Sequence, residues 1–503
     1  MVYEAIEQLV HYGIEKQLIS EEDAIYTRNR LLEILQLDGD NDIYQITLPA
    51  FDGDLHKLLA LLVSDACTRN VIDDTQENRD RFDTRLMGAL TPPPSIVAEH
   101  FRQAYANSPE QATDWFYQVS RDVNYIRTDR IAKDIRWQTE SAYGLLDITI
   151  NMSKPEKDPR DIAAAKKQTS QGYPACLLCR DAEGYAGRPG FPARQNHRVI
   201  PLTLQGEGWG LQYSPYVYYH QHCIVLNNRH TPMIIEPRTF ALLFDFLRQF
   251  PHFMIGSNAD LPIVGGSILS HEHFQGGNYV FPMAKAPVIQ SFTLPLYPGI
   301  DAGIVRWPLS VIRLRGQSAE SLTAAASHIL EVWRGYSDAS ADILAQSGSE
   351  QRHNTITPIA RCKDNQYEID LVLRNNRTSE QHQLGIFHPH QEYHHIKKEN
   401  IGLIEVMGMA ILPARLRGEL QEIAAAMRQK KTCPIAMHAN WVQALTEKYT
   451  ALGTPPDSMT PEQLDTMLRK EVGHVFCKVL EDCGVFKQTP EGLQAFHRFI
   501  SKL

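Results

Sequence analysis

Two glycine pairs, Gly265-Gly266 and Gly276-Gly277, close off the segment His271-Glu272-His273-Phe274-Gln275 and restrict what it can fold into. Glycine lets backbone approach another group closely and supplies conformations that other residues resist. Between the pairs, two imidazoles and one amide stand at alternate positions. Alternate side chains of an extended strand leave the same face, roughly 6 to 7 Å apart for a rise of about 3.3 Å per residue. The spacing therefore predicts a strand on which His271, His273 and Gln275 converge, near enough for one phosphoryl group to touch neighbouring members. A lone His-x-His pair is more often solvated or structural than reactive. The flanking glycines tip this pair toward a site, and so does Gln275: a neutral amide can hydrogen-bond a phosphoryl oxygen but cannot shuttle a proton at neutral pH. That favours transfer to a second substrate over hydrolysis.

These residues resemble the histidine-triad superfamily, in which a strand carrying His-x-His-x-(His or Gln) attacks a nucleotide α-phosphate. The form ending in Gln is similar to the galactose-1-phosphate uridylyltransferase family, whose familiar wording is His-Pro-His-Gly-Gln. This chain keeps the three alternate positions and departs at the two between them, where Glu272 and Phe274 are expected on the opposite face. Its length, helical N-terminal extension and His-Glu-His-Phe-Gln-Gly-Gly wording resemble the second, bacterial type of that family. The resemblance covers about residues 140 to 412, and the first 135 residues match by length and helical character only.

Composition narrows the class further. With 503 residues the chain can bury a large core, and size priors suggest about two to four units. Hydrophobic residues at 43% and charged residues at 22%, without a low-complexity tract, mark a globular protein. A net charge of -9 leaves no general basic surface, so nucleic acid is not an expected partner. The N-terminus lacks the pattern of a secretory signal, and no uninterrupted run of about 18 apolar residues occurs. A cytoplasmic enzyme that does not enter a membrane is expected. The eight cysteines are scattered apart from one pair, and reduced thiols are the default.

An α+β chain is expected, with a helical domain over residues 1–135, a first histidine-triad-like antiparallel-sheet unit over 136–290, a second, diverged unit over 291–412, and a helical tail over 413–503. In the first stretch Ser20-Glu21-Glu22-Asp23 has the form of a capping box. Helical segments follow at Leu58 to Val63 and Ile96 to Tyr105, with Pro92-Pro93-Pro94 forcing a break between them. Strands are predicted at Leu145 to Ile150, Val217 to Asn227, Phe253 to Ile255 and the His strand ending at Tyr279 to Phe281, with a helix over Pro237 to Phe250. The order then repeats loosely: a strand over Val305 to Leu314, a helix over Ser318 to Ala345, strands over Thr355 to Arg361 and Tyr367 to Leu373, and His388-Pro389-His390. The tail carries helices at Arg415 to Arg428 and Pro461 to Lys470.

Cys176-Leu177-Leu178-Cys179 has the two-residue gap of a zinc knuckle. A redox pair and two unpartnered thiols are the rival readings. The resemblance implies a fuller set, since some family members bind zinc through such a pair, a histidine after the preceding strand, and the first histidine of His-x-His. Cys176, Cys179, His230 and His271 fill those places. Four protein ligands leave no open position, which makes the metal structural. A second, iron-type site of the family needs a carboxylate at a set offset after His273, and its absence argues against iron. His388 and His390 are then either phosphate contacts or ordinary strand histidines.

The resemblance implies that His273 is the nucleophile of a ping-pong transfer. His273 displaces glucose 1-phosphate from UDP-glucose, and galactose 1-phosphate then takes the uridylyl group as UDP-galactose. Gln275 steadies a phosphoryl oxygen, and an acceptor for the other nitrogen of His273 is required, which a backbone carbonyl can supply. Ser267, Asn258, Asn196 and Lys154 are expected substrate contacts, and Arg374 to Arg377 could reach a sugar phosphate. The site is expected to lie in a homodimer. Two other functions compete: a different histidine-triad nucleotidyltransferase or dinucleoside polyphosphate phosphorylase, and a non-catalytic, zinc-stabilised nucleotide-binding protein.

Overall fold

A computed structural model describes residues 2–39, 53–153, 172–266, 268–348 and 351–503. Lys154 and Ser267, two of the expected substrate contacts, lie outside the described residues. The chain has α+β architecture and divides into two units, one formed by Met1–Ala132 with Pro155–Thr231 and the other by Lys133–Lys154 with Pro232–Leu503.

The first unit begins with helices Val2–Glu15, Ala24–Leu35, Leu55–Thr68, Gln76–Gly88, Pro94–Asn107 and Pro109–Asp122. Ala5, Ile6, Leu9, Val10 and Gly13 are all buried, the three-to-four spacing of one helix face. Pro94 opens its helix where an N–H is not needed, and the Ser108 side chain accepts from the N–H groups of Glu110 and Gln111. The expected capping box at Ser20 does not form. Glu21–Asp23 is a short 3-10 turn, the α-helix starts only at Ala24, and the Ser20 hydroxyl donates to the Asp23 carboxylate at 3.0 Å.

Three antiparallel strands complete this unit: Ile200–Leu204, Glu207–Tyr213 and Cys223–Asn227. Gln205 and Gly206, at φ 49° and 77°, make the two-residue connection between the first pair, the geometry that matches strand twist. The strand expected from Val217 begins only at Cys223. Val217 and Gln221 have φ values of 41° and 54°, incompatible with an extended path.

In the second unit seven antiparallel strands lie side by side in the order His273–Gly277, Met254–Gly256, Asn354–Lys363, Gln366–Asn375, Val311–Gly316, Asp301–Val305 and Val288–Phe292. Helix Ala319–Gly335 packs on one face, where Asn354 donates to the carbonyls of Trp333 and Tyr336. By alternation that face carries Ile356 and Ala360, both buried. The other face carries a buried charge cluster, in which Asp370 accepts from Arg313 at 2.7 and 3.0 Å and from Arg361 at 2.9 Å, with Glu368 beside both arginines. A smaller sheet pairs Ile135–Ser141 with Gly144–Ile150 and adds Met409–Leu412 in parallel.

Several expected bounds shift for local reasons. Val305 to Leu314 is two strands, because Pro308 lies in the turn between them and offers no N–H. The helix capped by Ser318 stops at Gly335, well short of Ala345, and Tyr336 is already extended. Arg415–Arg428 is helical as expected, whereas the helix from Pro461 continues to Cys483. Among the described residues no helix is long and apolar enough to cross a membrane.

Candidate functional site

The His-bearing strand spans His273–Gly277, so it starts two residues later and stops earlier than its sequence pattern suggests. His271 and Glu272 lie just before it and are buried. Register fixes its orientation: Gly277 faces Met254 and Gln275 faces Gly256. Gly256 also faces Ile359 on the next strand. A Cβ on Gly256 would come within 2.8 Å of the Pro358 carbonyl and 2.9 Å of Leu403, so glycine is required by close approach.

His273 is buried, and its Nδ1 lies 2.8 Å from the backbone carbonyl of His271. A carbonyl only accepts, so the proton resides on Nδ1 and Nε2 carries the lone pair. Burial pushes the imidazole down to about 4; the bond to the carbonyl opposes that shift without cancelling it. The ring is therefore neutral near pH 7 and presents a nucleophilic nitrogen. Gln275, half-buried, is two residues along and leaves the same face. Phe274 is buried on the opposite face, and Glu272 accepts from Arg238 at 2.8 Å. That ion pair was not foreseen, although an acid inside an apolar strand approach signals a cationic partner.

The described substrate-contact candidates have bonds within their own units. Asn258 is buried, and its Oδ1 accepts from the Leu403 N–H at 2.9 Å, at the start of helix Leu403–Val406. Its amide nitrogen lies against Gly266, where a Cβ would come within 2.7 Å. Asn196, in the first unit, donates from Nδ2 to the Val123 carbonyl at 2.8 Å, and the ring of its neighbour His197 packs tilted against Tyr125 with centroids 4.6 Å apart. Arg377 donates to the Asp342 carbonyl at 2.9 Å.

In the first unit Cys176 and Cys179 close a tight turn, with the Cys179 N–H donating to the Cys176 carbonyl at 3.2 Å. Their sulfurs are 3.5 Å apart and not joined in a disulfide, and Cys179 Sγ lies 3.1 Å from His230 Nδ1. The ligand atoms of Cys176, Cys179 and His230 all fall within 4.8 Å of one another. Two thiols and an imidazole form a donor set that suits a borderline-soft metal such as zinc and not a hard cation. Burial pushes the Cys176 thiol up to about 11.

His388 and His390 are not in a strand. They lie before the 3-10 turn Gln391–Tyr393. His388 has both ring nitrogens engaged, by the Pro389 carbonyl at 3.2 Å and Asn400 Oδ1 at 3.1 Å. His390 lies 3.4 Å from the Asp482 carboxylate and 3.1 Å from the Ile386 carbonyl, and stacks on His382. These contacts tie the loop to itself and to the helix Pro461–Cys483.

Comparison with known proteins gives a consistent picture. The sequence pattern of the galactose-1-phosphate uridyl transferase N-terminal domain matches residues 17–232, and that of the C-terminal domain matches residues 246–443. A galactose-1-phosphate uridylyltransferase of Bacillus subtilis (strain 168) is 52% identical over 511 residues, covering 100% of this chain and 98% of that protein. One of Clostridium acetobutylicum is 49% identical over 508 residues, covering 100% of each. A crystal structure of yeast Ap4A phosphorylase Apa2 overlaps 72% of this chain and 96% of its own at 11% identity, with a TM-score of 0.35, too loose to bear on the chemistry.

Proposed function

The chain belongs to the galactose-1-phosphate uridyl transferase family, and on that premise we propose that it moves a uridylyl group from UDP-glucose to galactose 1-phosphate through a covalent bond to His273. It is a nucleotidyltransferase of galactose metabolism. In the first half-reaction His273 Nε2 attacks the α-phosphorus of UDP-glucose. The bond to the bridging oxygen breaks, and glucose 1-phosphate leaves with the electron pair. The ring then carries positive charge, which the Nδ1–H shares with the His271 carbonyl. A phosphate oxygen of galactose 1-phosphate attacks the same phosphorus, the P–N bond breaks, and UDP-galactose departs from a neutral imidazole. Gln275 donates its amide N–H to a nonbridging oxygen as charge builds there.

The observation that carries this reading is the bond from His273 Nδ1 to the His271 carbonyl, because it leaves Nε2 free of a proton. Asn258, Asn196, Ser267 and Lys154 enter the reading as substrate contacts. A homodimer and a cytoplasmic location are part of the proposal, on the strength of the family resemblance.

Zinc belongs to the same proposal. Cys176, Cys179 and His230 support it from within the first unit, and the family resemblance adds His271 as fourth ligand of a structural metal with no open position, so no chemical step passes through it. Bound there, it would hold the approach to the His273 strand in place.

Incubation with uridine-labelled UDP-glucose tests the central claim. Acid-labile, base-stable label is expected on the protein and absent from His273→Ala. A protein that never retains label, yet exchanges sugar phosphates, removes the covalent mechanism.

A further inference from the structure

Arg374 is only 1% exposed, and its guanidinium is poorly served. Nη2 donates to the Ile401 carbonyl at 3.0 Å, while Nε and Nη1 have no acceptor among the described residues. A buried cation without a counter-anion is costly, so such groups are normally paired. The carboxylate within electrostatic range, Glu405, is already committed, with Oε1 accepting from Lys397 at 2.6 Å and Oε2 from the Gly402 N–H at 2.9 Å.

Register shows where this unpaired charge sits. Arg374 is opposite Thr355, Thr357 is opposite Val372, Ile359 is opposite Gly256, and Gly256 is opposite Gln275. Residues directly opposed on antiparallel strands share a face, and so do alternate residues on one strand. Arg374, Thr355 and Thr357 are therefore on the sheet face that carries His273 and Gln275. The Thr355 hydroxyl is bonded to Asp260. That of Thr357 is fully buried and has no partner among the described residues. Thr357 and Arg374 are diagonal neighbours, roughly 7 to 8 Å apart in the backbone. Three strand spacings, about 14 Å, separate them from the His273 strand at most. One patch of that face thus holds a hydroxyl and two guanidinium nitrogens without partners among the described residues.

We infer that Arg374 and Thr357 form the pocket for the phosphate of the sugar 1-phosphate. The inference rests on the uridylyl-transfer reading above. A phosphate supplies the missing counter-charge and several acceptor oxygens at once, and its burial keeps water from the transferring group. Lys397 does not compete for it, being paired with Glu405.

Binding to the full-length protein tests this, with galactose 1-phosphate and inorganic phosphate as separate probes, by calorimetry and by the rise in thermal midpoint. Thr357→Val is expected to weaken galactose 1-phosphate binding by about tenfold or more, as loss of a hydrogen bond to a charged group does. Arg374→Lys should weaken it further. The KM for galactose 1-phosphate should rise in parallel, while uridine label still accumulates on His273. Thr357→Val alone decides the matter if Arg374→Lys does not fold. Wild-type affinity for galactose 1-phosphate in Thr357→Val overturns the inference, as does a dependence on these residues seen with inorganic phosphate alone. Absence of label on the wild type, with phosphate-ester binding still lost in the variants, leaves the anion pocket standing and removes the transfer mechanism instead.

Discussion

His273 donates from Nδ1 to the backbone carbonyl of His271, 2.8 Å away and two residues back along the chain. The acceptor that sets the reactive tautomer is thus main chain, which no side-chain substitution can delete. On the proposed mechanism, replacing the imidazole itself removes the chemistry. His273→Ala should lower kcat by at least about 10⁴-fold, the scale on which loss of a nucleophile acts, with folding intact by circular dichroism. Steady-state turnover near wild type would sink the mechanism.

On the proposed mechanism Gln275 contributes one donor to developing charge on phosphorus oxygens. Gln275→Ala should reduce the rate by about 10² to 10³-fold, yet still acquire label slowly from UDP-glucose. Rapid-quench measurement of the two half-reactions separates this from loss of binding. An unchanged single-turnover rate would show that the amide plays no part.

Zinc should copurify near one per chain and resist mild chelation. Cys179→Ser should lose it, and the thermal midpoint should fall, because a metal bound only to the native state stabilises that state. The residual active fraction should keep a near-normal kcat, as a metal with no open position predicts. Elemental analysis combined with calorimetry checks this; a metal-free wild type with the same midpoint contradicts it.

Asp370 anchors Arg313 and Arg361 inside the second unit. Burial pushes its carboxyl up, but the two guanidiniums outweigh burial and hold it below the ordinary carboxylate range. The folded pKa is therefore depressed relative to the unfolded value of about 3.9. The stability gained is present above that value and is lost as pH falls through the lower, folded pKa. Asp370→Asn leaves two buried cations with a single acid and should cost about 3 to 5 kcal/mol, read from urea melts at neutral pH. The difference between variant and wild type should shrink in acid melts, and a constant gap would refute the assignment.

The sequence displays the His273 strand because its signal is local: alternation and flanking glycine act over a few residues. The same holds for helix Arg415–Arg428 and for the hairpin strands Asn354–Lys363 and Gln366–Asn375. Other features depend on distant partners. Nothing near Arg374 in sequence announces that strand pairing places it on the His273 face, or that Ile401 takes one of its hydrogens. His388-Pro389-His390 has the alternation of a strand pair, yet Asn400 and Asp482 hold the two rings in a loop. Val217 carries strong strand propensity and still adopts φ 41°, a preference overridden by its surroundings.

Asn258 lies two residues beyond the strand that flanks His273, and its oxygen clasps Leu403, 145 residues later. Ile401, which restrains Arg374, is two residues before that clasp. Stretches far apart in the polypeptide are thereby fastened at a single carboxamide. Damage at this fastening would loosen the stretch around Leu403 from the strand beside His273 while leaving the imidazole and its own bond to the His271 carbonyl in place.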